Sequence, residues 1–295
     1  MTSLLTPVRA EVTRRIDRWC YGLGALLFAS GLFHLGVQLV LGGPWDGPVS
    51  WRKPFDFGLA FGLTLATVTW VTGYLTIGER TRARLLGVFA LACVLEVGVI
   101  TTQAWRGQPS HFNVSSPVNS AFAFTAAGGG ALIIVVSVVF ARAAFRPAPG
   151  VSAAMRLAVR AGFVSFLGTL AIGAFMIALG VITTRTVSQT AAYTVDAAFK
   201  SGHAALMHGI LILPVLAWLG ERTGWTPERR VRVVALGCAG YFLAAGVVVV
   251  DTFVTIDPVA LAGAPAWATG LTAAGLACLL TAGALTLRKL ITTAR

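Results

Sequence analysis

The sequence predicts an all-α membrane protein of about eight transmembrane helices, because hydropathy, the lengths of the apolar runs and the placement of basic residues all agree on it. Of 295 residues 56% are hydrophobic and 12% charged, and the mean hydropathy is +0.80. A domain of this size could not carry that composition on a wetted surface. A helix crossing a ~30 Å hydrocarbon layer needs about 20 apolar residues. Eight segments meet this requirement, at 19–42, 54–77, 83–105, 118–144, 157–183, 196–219, 231–254 and 264–288.

The first segment follows Arg14, Arg15 and Arg18 as a signal peptide would, but it has spanning length and no small-residue cleavage site, so it is expected to remain as an anchor. Trp51, Arg52, Lys53, Pro54, Phe55 and Asp56 lead into the second. In the third, Glu96 and Gln103 are seven residues apart and share a helix face. The fourth contains Gly128, Gly129 and Gly130, small residues that let neighbouring backbones approach in lipid. The fifth carries Arg160 near its cytoplasmic start and no other charged residue. In the sixth, a continuous helix would align Asp196, Lys200 and His203 on one stripe and turn His208 roughly 140° away from His203. Asp251 lies near the end of the seventh, and the eighth closes the bundle.

With the N-terminus inside, all but five of the 23 Lys and Arg residues fall on cytoplasmic segments; the exceptions are Arg52, Lys53, Arg106, Arg185 and Lys200. This positive-inside pattern predicts both termini in the cytoplasm of a plasma-membrane protein, with 105–118 and 184–195 outward. The net charge of +12 therefore orients the chain, and no nucleic-acid partner is expected. Membrane lipids are the expected surroundings of the basic rims. Trp19, Trp45, Trp51, Trp105, Trp218 and Trp267 fall at helix ends, where an amphipathic ring suits the headgroup layer. Cys20, Cys93, Cys238 and Cys278 have neither the placement for disulfides nor a CxxC spacing.

A weak internal repeat divides the chain at 1–148 and 149–295. A shift of 144 places Leu23, Gly24, Leu26, Gly36 and Val37 on Leu167, Gly168, Leu170, Gly180 and Val181, and Phe55, Gly58 and Ala60 on Phe199, Gly202 and Ala204. A shift of 147 aligns Thr125 to Gly128 with Thr272 to Gly275. Two four-helix halves of the same orientation would be related by a pseudo-two-fold axis along the membrane normal.

The polar chemistry gathers toward the outer half. Ionisable groups in hydrocarbon are costly unless paired or wetted, so their clustering suggests a site. The expected catalytic groups are Glu96, His111, His203 and His208; Asp56, Gln103, Arg106, Asn113, Lys200 and Asp251 are the expected substrate contacts. The loop from Gln103 to Asn113 adds Arg, His and aromatic residues that a simple turn does not need. Arg52 and Lys53 read more simply as partners of lipid phosphates, Glu96 equally well as an ion-pair partner of Lys200 or Arg106, and His111 as solvated unless its loop folds inward. His34, His203 and His208 could supply a divalent metal with carboxylates, or two of them a b-type haem. No P-loop, HExxH, GxSxG or CxxCH motif is present. The favoured reading is an outward-opening pocket for a small or lipidic ligand, with enzymatic use slightly ahead of transport or channel activity and of haem electron transfer.

Overall fold

A computed structural model describes residues 15–254 and 266–293 of the chain. Arg9, Arg14 and Arg295 of the charge argument, and the first residues expected in the eighth span, lie outside them. The helices are α1 (Arg15–Leu41), α2 (Arg52–Val71, extended by a 3₁₀ turn to Tyr74), α3 (Glu79–Trp105), α4 (Pro117–Ala144) and α5 (Ala153–Thr186). They are followed by α6 (Gln189–Ala198), α7 (Lys200–Met207), α8 (Gly209–Glu221), α9 (Pro227–Val254) and α10 (Ala266–Thr293). Eight spans are long and apolar enough to cross a membrane, α7 and α8 together forming the sixth.

Local chemistry sets several boundaries. Ser116, Ser152 and Ser188 each accept a hydrogen bond from the backbone N–H three residues on, capping α4, α5 and α6. Pro117 adds a residue suited to the first helical turn. The 34 residues of α5 span about 51 Å, longer than a ~30 Å hydrocarbon layer requires. Part of the segment expected as an outer loop, 184–195, is therefore helical: it contains the end of α5 and the start of α6.

Neighbouring helices approach most closely at glycines. A Cβ on Gly58 would lie 2.6 Å from Gly31 Cα, and one on Gly62 2.7 Å from Gly24 O, so α1 and α2 meet backbone to backbone. At the α9–α10 crossing a Cβ on Gly275 would fall 2.7 Å from Ala244 N. Lipid supplies no hydrophobic drive between helices, and such contact gives association its dispersion energy instead. Gly129 and Gly130 serve otherwise: the Glu96 side chain occupies their space, its Oε1 3.2 Å from where a Gly129 Cβ would be.

The end of the bundle where α1 and α3 begin holds a buried charge. Arg82 is 2% exposed and donates to Asp17 Oδ1 at 2.8 Å, to Thr69 O at 2.7 Å and to Thr72 Oγ1 at 3.2 Å. This clasp joins α1, α2 and α3, and removing one partner of such a pair would leave a buried charge unpaired.

The sixth span is interrupted. Regular helical hydrogen bonding breaks at Phe199 and at His208, which keep right-handed helical φ and ψ, and the four successive carbonyls of residues 203–206 take side-chain donors. Thr169 Oγ1 donates to His203 O at 2.5 Å, His208 Nδ1–H to Ala204 O at 2.7 Å, Tyr241 OH to Ala205 O and Ser165 Oγ to Leu206 O at 2.5 Å. Backbone polar groups at membrane depth need partners from within the protein; α5 and α9 provide three of the four and His208 the other. Gly209 suits the second break, because a Cβ there would be 2.5 Å from Ser165 Oγ.

Candidate functional site

The first turns of α2 and α7, the helix α6 and the 106–116 loop come together at one end of the bundle. The loop is held first by its own network. Gln103, fully buried, donates through Nε2 to Pro109 O at 3.1 Å and Asn119 Oδ1 at 3.2 Å. Arg106 donates to Gln103 Oε1 and to Asn119 Oδ1; Asn113 Nδ2 donates to Pro109 O at 3.3 Å. Three expected substrate contacts, Gln103, Arg106 and Asn113, thus form the frame of the loop.

That frame turns the loop inward. Phe112 adopts φ +56°, unusual for a residue with a side chain. Its ring lies where a Cβ on Gly180 would be, 2.2 Å from Cζ. Gln189 donates to Phe112 O at 3.3 Å, and Tyr193 OH donates to His111 O. His111 is accordingly partly buried against Phe57, its Nδ1 3.0 Å from Ser110 Oγ, and among the described residues its Nε2 has no hydrogen-bond partner.

Lysines flank this ring from both halves of the chain. Lys53 Nζ donates to Pro48 O at 3.0 Å and lies 4.7 Å from the centroid of the Tyr193 ring. Lys200 begins α7, and both ammonium groups are within electrostatic reach of His111 and Asp196. Burial, then Lys53 and Lys200, lower the His111 pKa to about 4, which keeps the imidazole neutral at pH 7. Asp196 is pushed above the usual carboxylate value by burial, with the lysines pulling the other way; burial also raises Tyr193. Arg52 pairs with Asp46 at 2.6 Å and Asp56 at 3.6 Å. Asp56 and Lys200 interact electrostatically, but at no separation of 4 Å or less.

Beside these groups, Lys53, Ile100, Gln108 and Ser110 border a cleft too narrow for a water molecule. Ser50 lines it too, 5% exposed, and its hydroxyl has no partner. Basic residues at the starts of α2 and α7 oppose the positive ends of those helices, an arrangement that an anion between them would relieve.

Other expected site residues lie elsewhere. His34 is 2% exposed: its Nδ1–H donates to Ser30 O at 2.7 Å, and its Nε2 accepts from Trp105 Nε1–H at 3.1 Å, so both nitrogens are engaged. His203 points toward Gly173 with its Nδ1 buried and unpartnered, while His208 is exposed. Among the described residues no three His, Cys, Asp or Glu groups are arranged to hold a metal ion. Glu96 is 6% exposed in its glycine niche, and neither Lys200 nor Arg106 forms an ion pair with it. Asp251 is partly buried near the end of α9, next to Thr252, whose side chain packs on Gly202 of α7.

Sequence reasoning missed Tyr193 and Ser50 and gave Lys53 to lipid. The available signal was the unusual start of the second span, where two cations stand in a helix's first turn. The chain matches no family model, and no curated protein or solved structure is significantly similar to it.

Proposed function

We propose that this protein holds the anionic group of a small or lipidic ligand in the outer crevice, between Lys53 and Lys200, and uses the neutral His111 imidazole to act on it. The observation that carries the reading is the convergence of two lysines, an aspartate and a histidine at one end of the bundle, where Lys53 also borders a cleft with the buried, unpartnered hydroxyl of Ser50. An imidazole held neutral can donate or accept one hydrogen bond at the reacting group without adding charge. The ligand's charge would be met by ammonium groups already in place. Enzymatic use stands ahead of transport, because the two lysines, Asp196 and His111 gather at one end of the bundle rather than along a path through it.

The test uses octyl phosphate as probe and ¹⁵N-histidine resonances as readout. Cations depress an imidazole pKa, so Lys53→Gln or Lys200→Gln should raise that of His111 from about 4 toward 6.5, and bound octyl phosphate should raise it in the wild type. Each substitution should weaken probe binding about tenfold, or ~1.4 kcal/mol. An unmoved His111 resonance at saturating probe would rule the site out.

Transport is the second reading, and the interrupted sixth span favours it. Discontinuous helices with carbonyls held by neighbouring side chains are a recurrent way to build a moving element at membrane depth.

The four-plus-four duplication belongs to the same proposal, with both termini cytoplasmic. Its support is that contacts, not merely residues, correspond. Gly24 packs on Gly62 and Gly168 on Leu206, both shifted by 144; Gly31 packs on Phe55 and Phe175 on Phe199, again by 144. The same shift carries Arg52 and Asp56 onto Asp196 and Lys200, so the i,i+4 charges are reversed between the halves.

A further inference from the structure

The opposite end of the molecule carries a depression that the outer site does not involve. Arg229, Arg232, Val233 and Leu236 of α9 line it, with a volume of about 350 Å³. Their spacing of three, one and three places them on one helix face. The arginines occupy the first turns of α9, and the apolar pair lies one turn deeper into the span. Arg229 stacks on Trp225, its guanidinium 4.9 Å from the ring centroid. Trp225 is 6% exposed and its indole N–H has no partner. The Nε of Arg230, the next residue after Arg229, is likewise buried and unpartnered. Glu228 interacts with Arg232 from one turn earlier and offsets part of its charge. The remaining cations and the α9 N-terminus leave the rim positive.

We propose that this depression binds an anionic phospholipid, with its phosphate between Arg229 and Arg232 and an acyl chain along Val233 and Leu236. Guanidinium groups match phosphate oxygens in geometry as well as charge. A free phosphate would satisfy the arginines but leave the apolar floor uncovered. Polar rim and apolar floor follow one another in the order in which a lipid presents head and tail, on the face where the positive-inside pattern places anionic lipids. Neither the ligand nor the residues of the outer crevice enter this proposal.

Native mass spectrometry of the full chain, released from detergent with dioleoyl phosphatidylglycerol or dioleoyl phosphatidylcholine, tests it. The wild type should retain one phosphatidylglycerol in preference to phosphatidylcholine. Arg229→Gln with Arg232→Gln should weaken that retention about tenfold, and Leu236→Gln should weaken it with every charge kept. Arg142→Gln with Arg146→Gln, which removes two exposed cations elsewhere on the same face, should leave it unchanged. Millimolar inorganic phosphate should not displace the lipid. Equal retention of both lipids, equal losses in the two double variants, or full retention in Leu236→Gln would overturn the proposal. Displacement by inorganic phosphate would overturn the lipid as occupant.

Discussion

Phe112 shows how one residue governs the outer site. Its positive φ and its ring in the space of the missing Gly180 side chain fix the height of His111 beside it. Gly180→Ala should therefore expel the ring and free the loop, giving faster amide exchange across 108–114 and an ordinary His111 titration near 6.5, with the helices intact by circular dichroism. Unchanged exchange would mean that the loop is held by its internal amide network alone. The contact was not legible in the sequence, because Phe112 and Gly180 are 68 residues apart and no periodicity links them. His34 illustrates the opposite limit: a histidine in an apolar span can be read from sequence, but that its two nitrogens are already engaged cannot.

At the scale of elements, the eight spans were legible because a bilayer imposes length and apolarity on every crossing segment. The interruption in the sixth was not. His208, Gly209 and Pro214 are tolerated in membrane helices, and only the hydroxyls of Ser165, Thr169 and Tyr241 across the packing interface explain why the helix breaks there. Tyr241→Phe removes one of those donors while keeping the ring. It should cost about 1 kcal/mol, in line with hydrogen bonds between membrane helices, and combining it with Ser165→Ala should lower the melting temperature further. An unchanged melting temperature in the double variant would show that the carbonyls of α7 find partners without α5 and α9.

At the scale of the whole molecule, the proposed division into halves 1–148 and 149–295 rests on some helix contacts that recur at an offset of 144, such as Gly24 on Gly62 and Gly168 on Leu206. Weak glycine and phenylalanine matches suggested the division in the sequence, whereas the proximity of Asp196 and Lys200 to Lys53, and of Lys200 to Asp56, became readable only in the structure. Fragments 1–148 and 149–295, co-expressed with the native cysteines replaced by serine, should co-purify. A cysteine introduced at Ala148 should react with a membrane-impermeant maleimide only after cell lysis. Fragments that do not associate would argue against separable halves, and labelling in intact cells would reverse the orientation.

The seat of Phe112 on Gly180 also sets an order in time. Gly180 is made 68 residues after Phe112 and Lys200 147 after Lys53, which at about 5–20 residues per second corresponds to delays of roughly 3–14 and 7–30 seconds. During synthesis the loop of the first half has no docking place, and its cations face the translocon and lipid alone. A nascent chain halted before Gly180 would therefore expose the 106–116 loop to proteases that the finished protein resists, making this loop a natural reporter of whether the second half has arrived.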